Sequence, residues 1–208
     1  MSIDGGAVVF AGDRVVVVDK QTGISSEDIA ARWQKKLVHR IDKATSGLVI
    51  LADDARTVQR LHRQMHDGSI ERTYLLLAHG DVVGQTITSR LGRDRGDGLR
   101  GRVADDVAGQ TATTIVTPLQ TRVIDDVTVT LATATLVTGR THQIRIHLAE
   151  AGHLLVGEPV YRRDHAARGA AELPSSRLML HAWQLRFAHP NTHAPLALEA
   201  PAPVALRR

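Results

Sequence analysis

The spacing of apolar and polar positions changes several times along the chain, and each change marks an element. The opening strings AVVF and VVVVD, with the turn AGDR between them, read as a short hairpin that ends at Asp19 and Lys20. After the turn QTG, the string ISSEDIAARWQKKL predicts a short helix with Ser25 or Ser26 as its N-cap. GLVILA, residues 47–52, is an unbroken apolar run and reads as a buried strand. Val58, Leu61 and Met65 then recur at helical spacing, with Asp53 as the expected cap and Gly68 as the stop. IERTYLLLA, residues 70–78, predicts another strand, closed by His79 and Gly80. GRDRGDGLRGR, residues 92–102, has no apolar period and reads as a mobile basic loop. Threonine and valine dominate residues 111–136, in TATTIVTPL and VTVTLATATLV, which is the composition of antiparallel strands. Period two then gives way to a helix in THQIRIHLAEAG, ended by Gly152. A second basic stretch, RRDHAARGAAELPSSR, precedes the last strands in LMLHAWQLRFAHP and APLALEAP.

Many strands adjacent in sequence, with few helices between them, predict an α+β fold built on a mixed, mostly antiparallel central sheet with flanking helices and loops. The 208 residues show no repeat, low-complexity tract or linker, so a single domain over residues 1–208 is expected.

Composition narrows the functional classes. Apolar residues make up 43% and charged residues 23%, as in ordinary globular proteins, and no stretch approaches the roughly 20 apolar residues of a membrane helix. The N-terminus lacks the basic-then-apolar pattern of a signal peptide, so no membrane association and a cytoplasmic setting are expected. The chain has no cysteine, which excludes disulfides, thiolate metal sites and cysteine nucleophiles. A surplus of 26 Lys and Arg over 22 Asp and Glu favours a polyanionic partner.

The densest chemistry lies in HRIDKATSG, residues 39–47. A lone aspartate between cations is most often half of a surface ion pair, here with Arg40 or Lys43. In an extended segment, however, Arg40 and Asp42 fall on one side, and a carboxylate beside a guanidinium stays ionised and can act as nucleophile or base. A second cluster, GRTHQIRIHL, places Arg140, His142, Arg145 and His147 at a helix start. There they could hold a phosphate, orient a carboxylate or simply form a solvated basic face. Metal ligation is not expected, because His142 and His147 lie on different helical faces and His62 and His66 lack an accompanying glutamate. A glycosidase would need a second placed carboxylate, and Ser46 is not in a GxSxG elbow. Tyr74 reads either as core packing or as a face on which a base stacks.

Together these segments resemble the RluA-type family of RNA pseudouridine synthases. HRIDKATSGLVILA is similar to its HRLD-x-x-TSG-L signature, ERTYLLLAHG to its tyrosine motif, GRTHQIRIHLAEAGHLLVGEPVY to its long third motif and RLMLHAWQLRFAHP to its closing segment. VVVVDKQTGI resembles the opening strand, with Gln21 where proline is common. The resemblance implies an isomerase that converts uridines in ribosomal or transfer RNA to pseudouridine, without cofactor or metal and with no obligate protein partner, working as a monomer. It implies Asp42 as the catalytic aspartate, attacking the uridine or abstracting a sugar proton, and Tyr74 as the ring that stacks on the base and helps to remove the proton from its C5. Arg145 is implied as a bidentate clamp on the aspartate, and Arg40 as the arginine that enters the RNA stack when the target flips out. His39, Lys43, Arg140 and His142 are the further RNA-contact candidates. No S4-like domain is expected ahead of the first strand, so the two basic stretches would set selectivity. The alternative is a non-catalytic RNA-binding or RNA-folding factor that kept the fold.

Overall fold

The computed structural model describes all residues except Met1, Asp4, Arg168 and Arg208, so Arg168 of the second basic stretch lies outside the described residues. The chain forms two compact units, Met1–Tyr74 with Leu180–Arg207, and Leu75–Met179. Both are built on mostly antiparallel strands with few helices, the α+β class that the strand-rich sequence predicts.

In the first unit, strands Gly6–Gly12 and Val15–Lys20 form the expected hairpin. Its two-residue turn holds Asp13 and Arg14 at φ 33° and 70°, left-handed values that match the twist of paired strands. Strand Ser46–Ala52 pairs antiparallel with Val15–Lys20 and is buried throughout. Its other edge runs parallel to strand Leu180–Ala188, through His181 opposite Ser46 and Ala182 opposite Gly47. Gly47 is required there: its φ is 111°, and a Cβ would lie 2.2 Å from the Ala182 carbonyl oxygen. Val15, Val17, Leu48, Ile50, Leu61, Ile70, Leu185 and Phe187 fill the core of this unit.

Two helices flank these strands. Ser25 caps helix Ser26–Arg32 in a capping box with Asp28. Helix Ala55–His66 carries Leu61 into the core and is capped by Asp54, not Asp53, with Gly68 beyond its end at φ 80°. The correction has a local cause. The Asp54 backbone is still extended and its carboxylate accepts from the Thr57 amide, whereas Asp53 pairs with Lys35. Adjacent aspartates offer the same capping chemistry, so pattern alone cannot choose between them.

In the second unit, strands Gln85–Gly92, Gln110–Ile124 and Val127–Leu136 are antiparallel neighbours, the last two joined by a turn at Asp125 and Asp126. Helix Gln143–Glu150 buries Ile146 and Ala149 against Leu91, Ala112, Leu154 and Tyr161. The basic segment 92–102 is not an unstructured loop. Its ends pair as a short ladder, Asp94 accepts the Gly96 and Gly98 amides, and Asp97 binds Arg95 and Arg163. Its aspartates thus fold the arginines into a defined turn and tie it to the second basic stretch. Among the described residues no helix is long and apolar enough to cross a membrane, and no three His, Asp or Glu side chains converge as a metal site would require.

Candidate functional site

Asp42 lies on a loop whose backbone is fastened on both sides. Ahead of it, the buried Ser26 hydroxyl donates to the Ile41 carbonyl (3.0 Å) and accepts from the Ile41 amide (3.1 Å). Behind it, Lys20 is completely buried and directs its ammonium at the carbonyls of Thr45 (2.6 Å), Ile24 (2.8 Å) and Gln21 (3.0 Å), with Lys43 at 3.4 Å. The Gly23 amide donates to the Lys43 carbonyl, the Thr22 hydroxyl to Ala44, and the Thr45 amide closes a turn onto Asp42 itself. The half-buried Asp42 side chain therefore projects from a loop in which nearly every neighbouring carbonyl has a donor. This is the rigid support that positioned chemistry needs.

Tyr74, in strand Glu71–His79, belongs to the same unit and is 7% exposed. Burial pushes its phenol up to about 12; the Arg72 charge opposes the rise and the Asp42 charge adds to it. The Asp42 charge is thus felt at Tyr74. A phenol held at about 12 is ionised in roughly one molecule in 10⁵ at neutral pH, so Tyr74 presents a ring and a hydroxyl, not a phenolate.

The flanking candidates separate by environment. Arg40 is exposed and pairs with Glu27 at 3.1 Å, and Lys43 is exposed. His39 turns inward. Its Nε2 accepts the Ile50 amide at 3.1 Å, and burial, with the Arg72 charge, lowers it to about 3. A neutral imidazole whose acceptor is spent on a strand amide braces the loop from behind and offers no cation to a phosphate.

The second unit holds the GRTHQIR cluster. Gln143 staples its start, accepting from the Thr138 hydroxyl and the Arg140 amide and donating to Thr113 and Thr114. That leaves Arg140 exposed, with its Nε on the Thr111 carbonyl. His142, left-handed at φ 59°, shares a 2.7 Å hydrogen bond between its Nδ1 and the Tyr161 hydroxyl. His147 belongs to the core: it lies between Thr114 and Ser89, and burial lowers it to about 4.

Arg145 is buried and its bidentate partner is Glu158. Nε and Nη2 donate to the two carboxylate oxygens at 2.8 and 2.7 Å, and the Tyr161 ring packs on the guanidinium at 5.4 Å. Burial alone would raise the Glu158 carboxyl, but the Arg145 hydrogen bonds and charge, with the Val160 and Tyr161 amides, outweigh it and hold it below the usual carboxylate range. The Nε and Nη2 edge of the Arg145 guanidinium is thus doubly engaged by Glu158. Glu158 and Lys20 are the site residues that sequence reasoning did not single out. Lys20 left a signal, since it shares a strand face with the buried Val16 and Val18. Glu158 left none.

A profile of the family described as RNA pseudouridylate synthase matches residues 14–150. The ribosomal large subunit pseudouridine synthase D of Neisseria meningitidis serogroup B is 32% identical over 221 residues, covering 94% of this chain and 58% of that protein. An uncharacterized RNA pseudouridine synthase of Bacillus subtilis is 34% identical over 198 residues, covering 91% of this chain and 62% of that protein. The chain spans less than two thirds of the length of either relative. Among solved structures, human RNA pseudouridylate synthase domain containing 1 shares the fold with a TM-score of 0.79 at 22% identity, over 97% of this chain and 85% of that one. A profile match over more than half of the chain, together with relatives above 30% identity, places this protein by descent: it belongs to the RNA pseudouridylate synthase family.

Proposed function

We propose that this chain is an RNA pseudouridine synthase, a cytoplasmic isomerase that acts on uridines of structured ribosomal or transfer RNA. The observation that carries the proposal is Asp42: a half-buried carboxylate on a loop pinned by Lys20 and Ser26, within charge range of the buried Tyr74. In this reading Asp42 attacks the target uridine or takes a proton from its sugar. The bond from C1′ to N1 then breaks, the uracil turns, and a bond from C1′ to C5 replaces it; the C5 proton is lost to solvent, N1 takes one up, and Asp42 is released as the carboxylate. The atoms balance without an oxidant, reductant or cofactor.

Tyr74 provides the face against which the uracil lies while it turns. Its neutral phenol at physiological pH favours stacking and hydrogen bonding over service as a free base. Arg145 is the guanidinium assigned to the catalytic carboxylate, and Arg40, exposed beside Asp42, is the side chain available to enter the RNA stack when the nucleotide leaves it. Lys43, Arg140 and His142 remain RNA-contact candidates, whereas His39 braces the loop. The purified chain should convert uridine to pseudouridine in ribosomal or transfer RNA transcribed without modification, read by chemical mapping of pseudouridine. Transcripts left unchanged at every position would overturn the proposal.

A further inference from the structure

Arg72 is a cation of the first unit that the reading above leaves without a task. It stands two residues before Tyr74 in strand Glu71–His79, so the pleat places both side chains on one face and Thr73 on the other. Several other arginines meet carboxylates: Arg14 meets Asp54, Arg40 meets Glu27, Arg95 meets Asp97 and Arg145 meets Glu158. Arg72 has no such partner among the described residues. It is half-buried, and its Nε is buried with no hydrogen-bond acceptor. Burial lowers its pKa from the ordinary arginine value, with Tyr74 acting in the opposite direction, and its charge is felt at His39 as well.

An arginine cannot shed its charge, so an unpaired, partly desolvated guanidinium costs stability for as long as nothing sits against it. A strand position that serves packing alone would suit an apolar or neutral side chain better. Its retention on the Tyr74 face is explained by a ligand that brings the missing charge. A uracil carbonyl would satisfy one donor and leave the positive charge in place, whereas a phosphodiester brings a negative charge and two non-bridging oxygens that match the donor fork of a planar guanidinium.

We propose that Arg72 is an RNA-binding residue whose guanidinium takes a phosphodiester oxygen of the bound strand beside the nucleotide that Tyr74 receives. The proposal rests on the reading of this chain as an enzyme acting on uridine in RNA. On this assignment the half-buried guanidinium is a preformed half of an ion pair completed by substrate.

The test compares the full wild-type chain with Arg72→Gln and Arg72→Lys by thermal unfolding, by affinity for a stem-loop RNA with a uridine-rich loop across a salt series, and by isomerisation of transcribed RNA. Arg72→Gln is expected to unfold at the same temperature or higher, because it removes an uncompensated charge. It should also bind RNA roughly tenfold more weakly, with the slope of log affinity against log salt shallower by about 0.7 to 0.9, the share of one phosphate. Arg72→Lys should regain the salt slope and only part of the affinity. A lower unfolding temperature with unchanged affinity would make Arg72 structural and overturn the assignment. Weaker binding with an unchanged salt slope would place it on a base edge and overturn it equally. A wild-type chain that isomerises nothing while Arg72→Gln loses affinity and slope would sink the enzymatic reading and leave Arg72 an RNA contact. An active wild type with an unaffected Arg72→Gln variant would do the reverse.

Discussion

Replacing Asp42 by asparagine keeps the size of the side chain and removes its charge, so it separates chemistry from binding. Asp42→Asn should lower isomerisation by ~10³-fold or more, as loss of a reacting side chain commonly does. Its RNA affinity, carried mainly by phosphate contacts, should stay within about twofold, as measured by filter binding. A large loss of affinity would make Asp42 structural. Two histidines set a second residue-level expectation, in which His39 and His147 are neutral in the fold at about 3 and about 4. Their folded values lie below the unfolded one, so the unfolded chain binds more protons and stability falls as pH drops from about 6.5 toward those values. For His39 alone the loss between pH 6.5 and 4.5 is on the order of 2–3 kcal/mol. Urea midpoints at pH 7 and 4.5 should show that loss in the wild type and a smaller one in His39→Gln. Equal losses would mean that His39 does not titrate as a buried group.

At the scale of elements, Gly47 and Glu158 join pieces that the sequence keeps apart. Gly47→Ala forces a Cβ into the Ala182 backbone at a left-handed φ, and no flexible side chain is there to yield. It should destabilise the protein by about 3 kcal/mol or more in equilibrium denaturation. A loss below about 1 kcal/mol would mean that the parallel pairing gives way easily. Glu158→Gln removes the carboxylate charge from a buried ion pair and should cost about 3–5 kcal/mol, whereas an exposed pair such as Arg40 with Glu27 is worth well under 1 kcal/mol. Because Glu158 is held below its ordinary range, its contribution is present at neutral pH. It is lost as pH falls through that depressed value, so the difference between wild type and Glu158→Gln should shrink in acid.

Elements with a clear period were legible in the sequence. The apolar run GLVILA became a fully buried strand, the doubled Val-Thr tracts became paired strands, and Ser25 proved to be the cap of the first helix. What stayed hidden depends on contacts across the fold. The choice of Asp54 over Asp53 turns on one extended backbone residue, and the ordered turn at 92–102 depends on where two aspartates point. Glu158 meets Arg145 from a loop 13 residues away, and no periodicity could announce it. Within the motifs, basic residues also parted by burial: His147 packs in the core, while Arg140, ahead of the helix, is exposed.

For the whole molecule, the proposed RNA chemistry rests on family membership, a net charge of +4 and the fastened Asp42 loop. The relatives extend beyond the region they share with this chain, so the choice of RNA and of uridine belongs to experiment. The most direct one is a pseudouridine map of ribosomal and transfer RNA from cells with and without the gene, the latter also supplied with the Asp42→Asn protein. The expected result is a position whose pseudouridine disappears with the gene and stays absent with the variant. Maps that coincide at every position, or a site that the Asp42→Asn protein restores, would contradict the assignment of uridine isomerisation to Asp42.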